Sequence, residues 1–218
     1  MAVLSFKPLL YIFRFKFYAY LYMLDTHRES FRGVERAVAK VFSRLPVTPN
    51  QYSFSSVLFA LVCLYFLIKQ AVAWAIVFFL LAAFMDFVDG GVARYKNLST
   101  KKGAYLDTIF DRYVEGITIM GFLFLPLPQI FLPNYILISL ILFGSMMTTY
   151  AKSAAKEKEL TSVELKGGLM SRGERAMLYF LIMLSAIFCP ETAVWILMAM
   201  ALLTNMTAIQ RIFAAVKK

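Results

Sequence analysis

Four aspartates stand at spacings that a helix turns into pairs. Asp86 and Asp89 are three residues apart and Asp107 and Asp111 four apart, so on helices each pair projects from one face, its Cβ atoms about 5–6 Å apart. Each pair can grip a cation. The stretch between them, with ARYKNLSTKKG at its centre, is short enough to fold one helix back beside the other, so all four carboxylates can converge. Hard divalent ions suit an all-oxygen donor set. Mg²⁺ or Mn²⁺ is therefore expected, and two ions about 3.5–4 Å apart would serve an in-line displacement at phosphorus. Zinc is disfavoured because no His or Cys neighbours the aspartates.

The elements that carry these pairs must lie in lipid. The 218 residues are 61% hydrophobic and 17% charged, against roughly 25% charged in an ordinary globular chain, and the charges gather between long apolar runs. Unpaired carboxylates beside such runs cost several kcal/mol each, which is a second reason to expect a cation among them. A window of about 19 residues places apolar spans at 51–69, 71–93, 104–126, 131–151, 174–189 and 191–212. Breaks fall at PVTPNQ, NLSTKKG, PLPQIFLPN, KGGLMSRG and CPE, where Pro, Gly and capping residues interrupt helices. The expected fold is an all-α integral membrane protein, with six transmembrane helices in one domain over 51–218. A distinct N-terminal segment, 1–50, precedes it. Cys63 and Cys189 lie in apolar runs without ligand spacing and are expected to be packing residues, and His27 a solvated one.

Within 1–50, LSFKPLLYIFRFKFYAYLYML is apolar but interrupted by Lys7, Arg14 and Lys16, which favours a segment lying in the interface over a seventh span. ESFRGVERAVAKVFSRL continues in that sense. Phe31, Val34, Val38, Val41 and Phe42 recur near helical spacing opposite Arg32, Arg36 and Lys40, as in an in-plane amphipathic helix. Lys and Arg crowd the chain before residue 50, over 94–102, over 152–175 and at the end. By the positive-inside rule both termini and the aspartate pairs face the cytoplasm. The net charge of +10 then forms a basic face that attracts anionic lipid and phosphate-bearing substrates; no basic soluble module is present for nucleic acid. Gly90, Gly91 and Ala93 leave a helix stretch without bulk, open either to a ligand or to close helix packing, and Gly103 opens the next helix.

Written out, residues 86–111 are D-x2-D-G-x2-A-R-x8-G-x3-D-x3-D. This resembles the signature of the CDP-alcohol phosphatidyltransferase family, and every fixed position is matched: Asp86, Asp89, Gly90, Ala93, Arg94, Gly103, Asp107 and Asp111. The tripeptide Thr48-Pro49-Asn50 ahead of the first span is similar too. The resemblance implies transfer of a substituted phosphoryl group from a CDP-linked alcohol, usually a CDP-lipid, to the hydroxyl of a second alcohol with release of CMP. It implies that Asp86, Asp89 and Asp107 ligate the metals and that Asp111 approaches them and serves as general base. Gly90 and Ala93 would leave room for the cytidine nucleotide, Arg94 would sit near the diphosphate, and Gly103 and Asn50 would join the donor side. A homodimer in the membrane is also implied.

The acceptor must be recognised elsewhere. TTYAKSAAKEK and GGLMSRGERAML put Lys152, Arg172 and Arg175 at cytoplasmic helix ends, where cations could hold an acceptor phosphate or merely follow the positive-inside rule. With LDTIFDRY these stretches resemble the branch that uses inositol phosphate, although Ala154 and Ala155 stand where an arginine often follows the lysine. Inositol 1-phosphate is the expected acceptor, with glycerol 3-phosphate, then serine, or a CDP-inositol donor, as alternatives. A cation transporter is the reading from another class. It would place its charges near the bilayer midplane, often in inverted repeats, and no repeat is visible here.

Overall fold

The computed structural model describes residues 33–160 and 168–216, and these are helical apart from turns and short loops. A helix over residues 33–42 (α1) leads into α2 (Pro49–Ile68), α3 (Val72–Tyr95), α4 (Lys101–Gly121), α5 (Asn134–Glu157), α6 (Arg172–Phe188) and α7 (Pro190–Val216), with one 3₁₀ turn at Phe122–Phe124 after α4. Local chemistry explains the ends that matter for function. Pro49 occupies the first turn of α2, and the Gln51 carboxamide accepts the backbone N–H of Thr48 at 2.8 Å, so the TPN tripeptide is a helix start. α3 stops just past Arg94 because Asn97 adopts φ +54° and the Leu98 N–H returns to the Ala93 carbonyl at 2.9 Å, a closure that Asn tolerates well. Thr100 then caps α4, accepting from the Gly103 N–H at 3.0 Å. At α6, Ser171 and Glu174 form a reciprocal capping box, which starts this helix two residues before the limit suggested by hydropathy and makes Arg172 its first residue.

Packing joins α2 chiefly to α3 and α4, α7 to α5 and α6, and α3 to α6, whereas α4 and α6 touch each other only sparsely. The main core runs through Cys63, Leu67, Phe79, Ile119, Phe122, Ile141, Met183 and Leu197. Cys63 is buried and Cys189 exposed, both free. Gly144 lets α5 and α7 meet: a Cβ there would lie 2.7 Å from the Thr204 hydroxyl and 2.9 Å from the Asn205 nitrogen. A smaller cluster of Tyr52, Val88 and Val92, with Val38 and Phe42 against it, docks α1 on the end of α3. Large apolar side chains cover much of the exterior, among them Phe54, Trp74, Leu80, Phe143, Leu202 and Phe213, as expected of a surface that faces lipid rather than water.

Helices occupy all six places read from the hydropathy. Four of them, α2, α3, α5 and α7, are long and apolar enough to cross a bilayer by length and composition. The others differ for visible reasons: α4 carries Asp107, Asp111, Arg112 and Glu115 in its first four turns, and α6 has only 17 residues. The amphipathic stretch is helical over 33–42, but its apolar residues divide, with Val38 and Phe42 turned to the core and Val34 and Val41 exposed. The interfacial reading of residues 1–32, including His27, Phe31 and Arg32, lies outside the described residues.

Candidate active site

The Schellman turn after α3 and the Thr100 cap fold α4 back beside α3, and this brings the aspartate pairs together. Carboxylate oxygens of Asp86, Asp89 and Asp107 all lie within 4.8 Å of one another. Asp89 is the deepest, 4% exposed, and its Oδ2 accepts a 2.5 Å hydrogen bond from the Ser53 hydroxyl of α2. Asp111, one turn further along α4, is not part of the trio. The Arg172 guanidinium instead joins it to the site: one Nη2 reaches Asp111 Oδ1 at 2.5 Å and Asp86 Oδ1 at 3.0 Å. An all-carboxylate trio this compact, without His or Cys, matches the donor chemistry of Mg²⁺ or Mn²⁺.

Two clefts open on these groups. The first, about 160 Å³, is lined by Asn50, Ser53, Asp89, Gly90, Ala93, Arg94, Thr100, Gly103 and Asp107 among others. Every residue expected on the donor side is therefore on one wall system. The two readings of the small residues separate here. Gly90 and Ala93 face the cleft, while Gly91 is buried and a Cβ on it would meet Ala39 at 3.4 Å and Glu35 at 3.5 Å, so it serves helix packing. Arg94 stands at the mouth and its guanidinium pairs with Glu35 of α1 at 2.7 Å. The second cleft, about 220 Å³, lies between α3, α4 and α6 and includes Phe79, Ala83, Asp86, Asp111, Val114 and Arg172 in its lining. It is more apolar, and its polar lining extends from Asp86 and Asp111 to Glu115, Thr118 and Tyr179.

Of the three cations expected for the acceptor, Arg172 reaches the aspartates. Arg175 must be corrected. It is 3% exposed and its guanidinium is spent on Glu115, Nε to Oε1 at 2.6 Å and Nη2 to Oε2 at 3.3 Å. The reason is helical phase: three residues beyond Arg172, it points to the same neighbour one turn deeper, where α4 offers Glu115. Lys152, on α5, lines neither cleft. Sequence reasoning missed Ser53, Glu35 and the partners of Glu115; Ser53, one turn after Asn50 on α2, carried the only local hint.

The chain is similar to known proteins in sequence and in fold. The family model described as CDP-alcohol phosphatidyltransferase matches residues 46–207. An archaetidylinositol phosphate synthase of Pyrococcus horikoshii is 29% identical over 197 residues, 90% of this chain and 98% of that protein. A phosphatidylinositol phosphate synthase of Corynebacterium glutamicum is 29% identical over 203 residues, 89% and 90% of the two chains. The fold is shared with the phosphatidylinositol phosphate synthase of Mycobacterium tuberculosis, solved with CDP-DAG bound, at a TM-score of 0.72 and 20% identity over 84% of this chain and 93% of that one. Its structure in complex with manganese and citrate scores 0.72 as well, at 20% identity over 83% and 88%. Matched along most of its length, and with the signature residues lining two adjoining clefts, the chain belongs to the CDP-alcohol phosphatidyltransferase family.

Proposed function

We propose that this enzyme transfers the lipid-bearing phosphoryl group of a CDP-linked lipid to a hydroxyl of inositol 1-phosphate, releasing CMP. One observation carries the reading: Asp86, Asp89 and Asp107 converge beside a cleft lined by Gly90, Ala93 and Gly103, while Arg172 links Asp86 to Asp111 at the neighbouring cleft. The names of the relatives from Pyrococcus and Corynebacterium support inositol phosphate as the acceptor, and the neighbour solved with CDP-DAG supports the donor.

Asp86, Asp89, Asp107 and Asp111 would hold the divalent ions, two per site. Bound there, Mg²⁺ or Mn²⁺ would neutralise the donor diphosphate and the departing CMP. Gly90, Ala93 and Gly103 leave space for the nucleotide, Asn50 borders it, and Arg94 offers a cation at the mouth. The acceptor oxygen attacks the lipid-side phosphorus as the bond to the CMP oxygen breaks, and Asp111 takes the hydroxyl proton. Arg172 holds the acceptor phosphate through charge-assisted hydrogen bonds, and Lys152 adds positive charge at the same end of the bundle.

In the membrane, α4 and α6 complete a six-span domain over 51–218, with α1 and the rest of 1–50 at the interface. The basic loops keep both termini and the site on the cytoplasmic side, and the enzyme works as a homodimer with one site in each subunit. The test is CMP release by the purified protein with Mg²⁺ or Mn²⁺, CDP-diacylglycerol or CDP-archaeol, and inositol 1-phosphate, glycerol 3-phosphate or serine. Inositol 1-phosphate should give the highest kcat/KM. Should serine, which has no phosphate, be the best acceptor, the reading fails.

A further inference from the structure

Beneath Arg172 lies a buried polar cluster to which the transfer chemistry assigns nothing. Glu115, one turn after Asp111 on α4, is 6% exposed and receives four donors. Its Oε1 accepts from Arg175 Nε at 2.6 Å and from the Tyr179 hydroxyl at 2.8 Å; its Oε2 accepts from Arg175 Nη2 at 3.3 Å and from Arg112 Nη1. A carboxylate has about four lone-pair sites. All are used, so Glu115 has none left for a metal, a proton or a substrate although it borders the same cleft as Asp111. Its task is to join helices. Arg112 extends the cluster to α5 by donating to Thr149 Oγ1 at 2.9 Å, and Tyr179 lies 3.5 Å from Ser145 of α5.

This matters because α4 and α6 otherwise touch sparsely. Two ionic rungs connect them, Arg172 to Asp111 near the cleft and Arg175 to Glu115 one turn deeper. The upper rung is half open, with Arg172 43% exposed at its side chain, whereas both members of the lower rung are buried. A buried network built on a fully bonded carboxylate is rigid in a way that an open ion pair is not, although Arg112 Nε is left without a partner among the described residues.

We propose that Glu115, Arg175 and Tyr179 are positioning residues for the transfer: with Arg112 they form a strut that fixes the register of α6 on α4, holds Arg172 over Asp86 and Asp111, and so sets the affinity for the phosphorylated acceptor. Glu115 and Tyr179 line the second cleft, but their polar atoms are bonded to each other and to Arg175, so the strut acts through Arg172. This rests on the assignment of Arg172 to the acceptor phosphate, and the experiment separates the two claims.

Tyr179→Phe removes one donor to Glu115 without altering the shape of the ring, and it stands in for Glu115→Gln should that variant fail to fold. A hydrogen bond to a charged group is worth roughly 10- to 100-fold; because only part of that loss reaches Arg172, the KM for inositol 1-phosphate should rise about three- to tenfold, with the KM for CDP-diacylglycerol unmoved. In an Arg172→Gln background the same change should add nothing further, since the residue it acts through is gone. Spin labels at Tyr113 on α4 and Met177 on α6, both exposed, should report a broader distance distribution in Tyr179→Phe than in the parent protein. An unchanged distribution overturns the strut, and so does an acceptor KM that rises equally with and without Arg172. A fall in thermal stability with both KM values intact reduces the cluster to a structural role and also overturns it. Arg172→Gln with unchanged acceptor KM overturns the acceptor assignment instead, and with it the claim that the strut sets acceptor affinity.

Discussion

Asp89→Asn is the most informative single change at the metal centre, because it keeps the side-chain shape and removes one charge from the most enclosed of the clustered carboxylates. Asp89 is 4% exposed, its oxygens lie within 4.8 Å of those of Asp86 and Asp107, and its partner is the Ser53 hydroxyl. An amide can still bond to that hydroxyl, so the helices should pack as before. A unit charge pair 4 Å apart is worth about 4 kcal/mol at an effective dielectric of 20, and that corresponds to a factor of about 10³ in an equilibrium constant. The Mn²⁺ concentration for half-maximal CMP release should rise by about that factor. Ser53→Ala provides the scale beneath it: the carboxylate survives but loses its orienting donor, which typically costs about 10- to 100-fold in metal affinity. Both variants can be titrated with Mn²⁺ in micelles by CMP release and, independently of turnover, by the loss of the free Mn²⁺ paramagnetic signal. If Asp89→Asn is folded and saturates at the Mn²⁺ concentration of the parent protein, the trio does not bind the metal that supports transfer. If Ser53→Ala is the more damaging of the two, the site depends on the geometry of α2 rather than on charge.

Three further outcomes are expected. Asp111→Asn should lower kcat by about 10²–10⁴ while shifting the Mn²⁺ requirement less than Asp89→Asn, as befits a proton acceptor outside the trio; equal effects on both would make Asp111 a metal ligand alone. Gly103→Leu should raise the donor KM more than tenfold and leave the acceptor KM near its parent value, because even a Cβ at that position sits 3.1 Å from the Thr100 hydroxyl and 3.3 Å from Asn50 Oδ1 on the wall of the first cleft. Gly144→Leu should destabilise the protein by about 1–3 kcal/mol or more, as overpacking does, since its Cβ would fall 2.7 Å from Thr204 Oγ1; thermal unfolding in micelles reads this, and an unchanged midpoint would mean that α5 and α7 are less closely packed than described.

What could be read from the sequence was whatever chemistry or solvent enforces locally. Lipid demands apolar runs, and helices stand at each of the six places where such runs were found, with limits set by Thr48-Pro49, Asn97-Leu98, Thr100 and the Ser171–Glu174 box. The donor side was legible because its residues are specified one by one: small at Gly90, Ala93 and Gly103, acidic at Asp86, Asp89 and Asp107, and all of them line the first cleft or its metal-binding edge. What stayed hidden was partnership over long separations. Ser53 meets Asp89 across 36 positions, Glu35 meets Arg94 across 59, and Glu115 meets Arg175 across 60, and no spacing rule reaches so far.

Arg175 and Glu115 show why residue type alone could not separate reaction from support. Asp111 and Glu115 are four apart on one face of α4, and Arg172 and Arg175 three apart on one face of α6, so the two helices present the same acid-and-base pattern twice. Depth distinguishes the copies. At the upper level Arg172 faces Asp111 at a cleft, with its side chain 43% exposed, and can exchange a carboxylate for a phosphate at modest cost. At the lower level Glu115 takes four donors and leaves Arg175 no route to a ligand, so disturbing either one strands a buried charge, at about 3–5 kcal/mol. One repeated pattern therefore yields a working pair where it meets the cleft and a fixed joint where it does not. That division of labour explains how a helix as charged as α4 can stand among apolar neighbours: its deeper acid is fully bonded, while the aspartates nearer its start face a cleft.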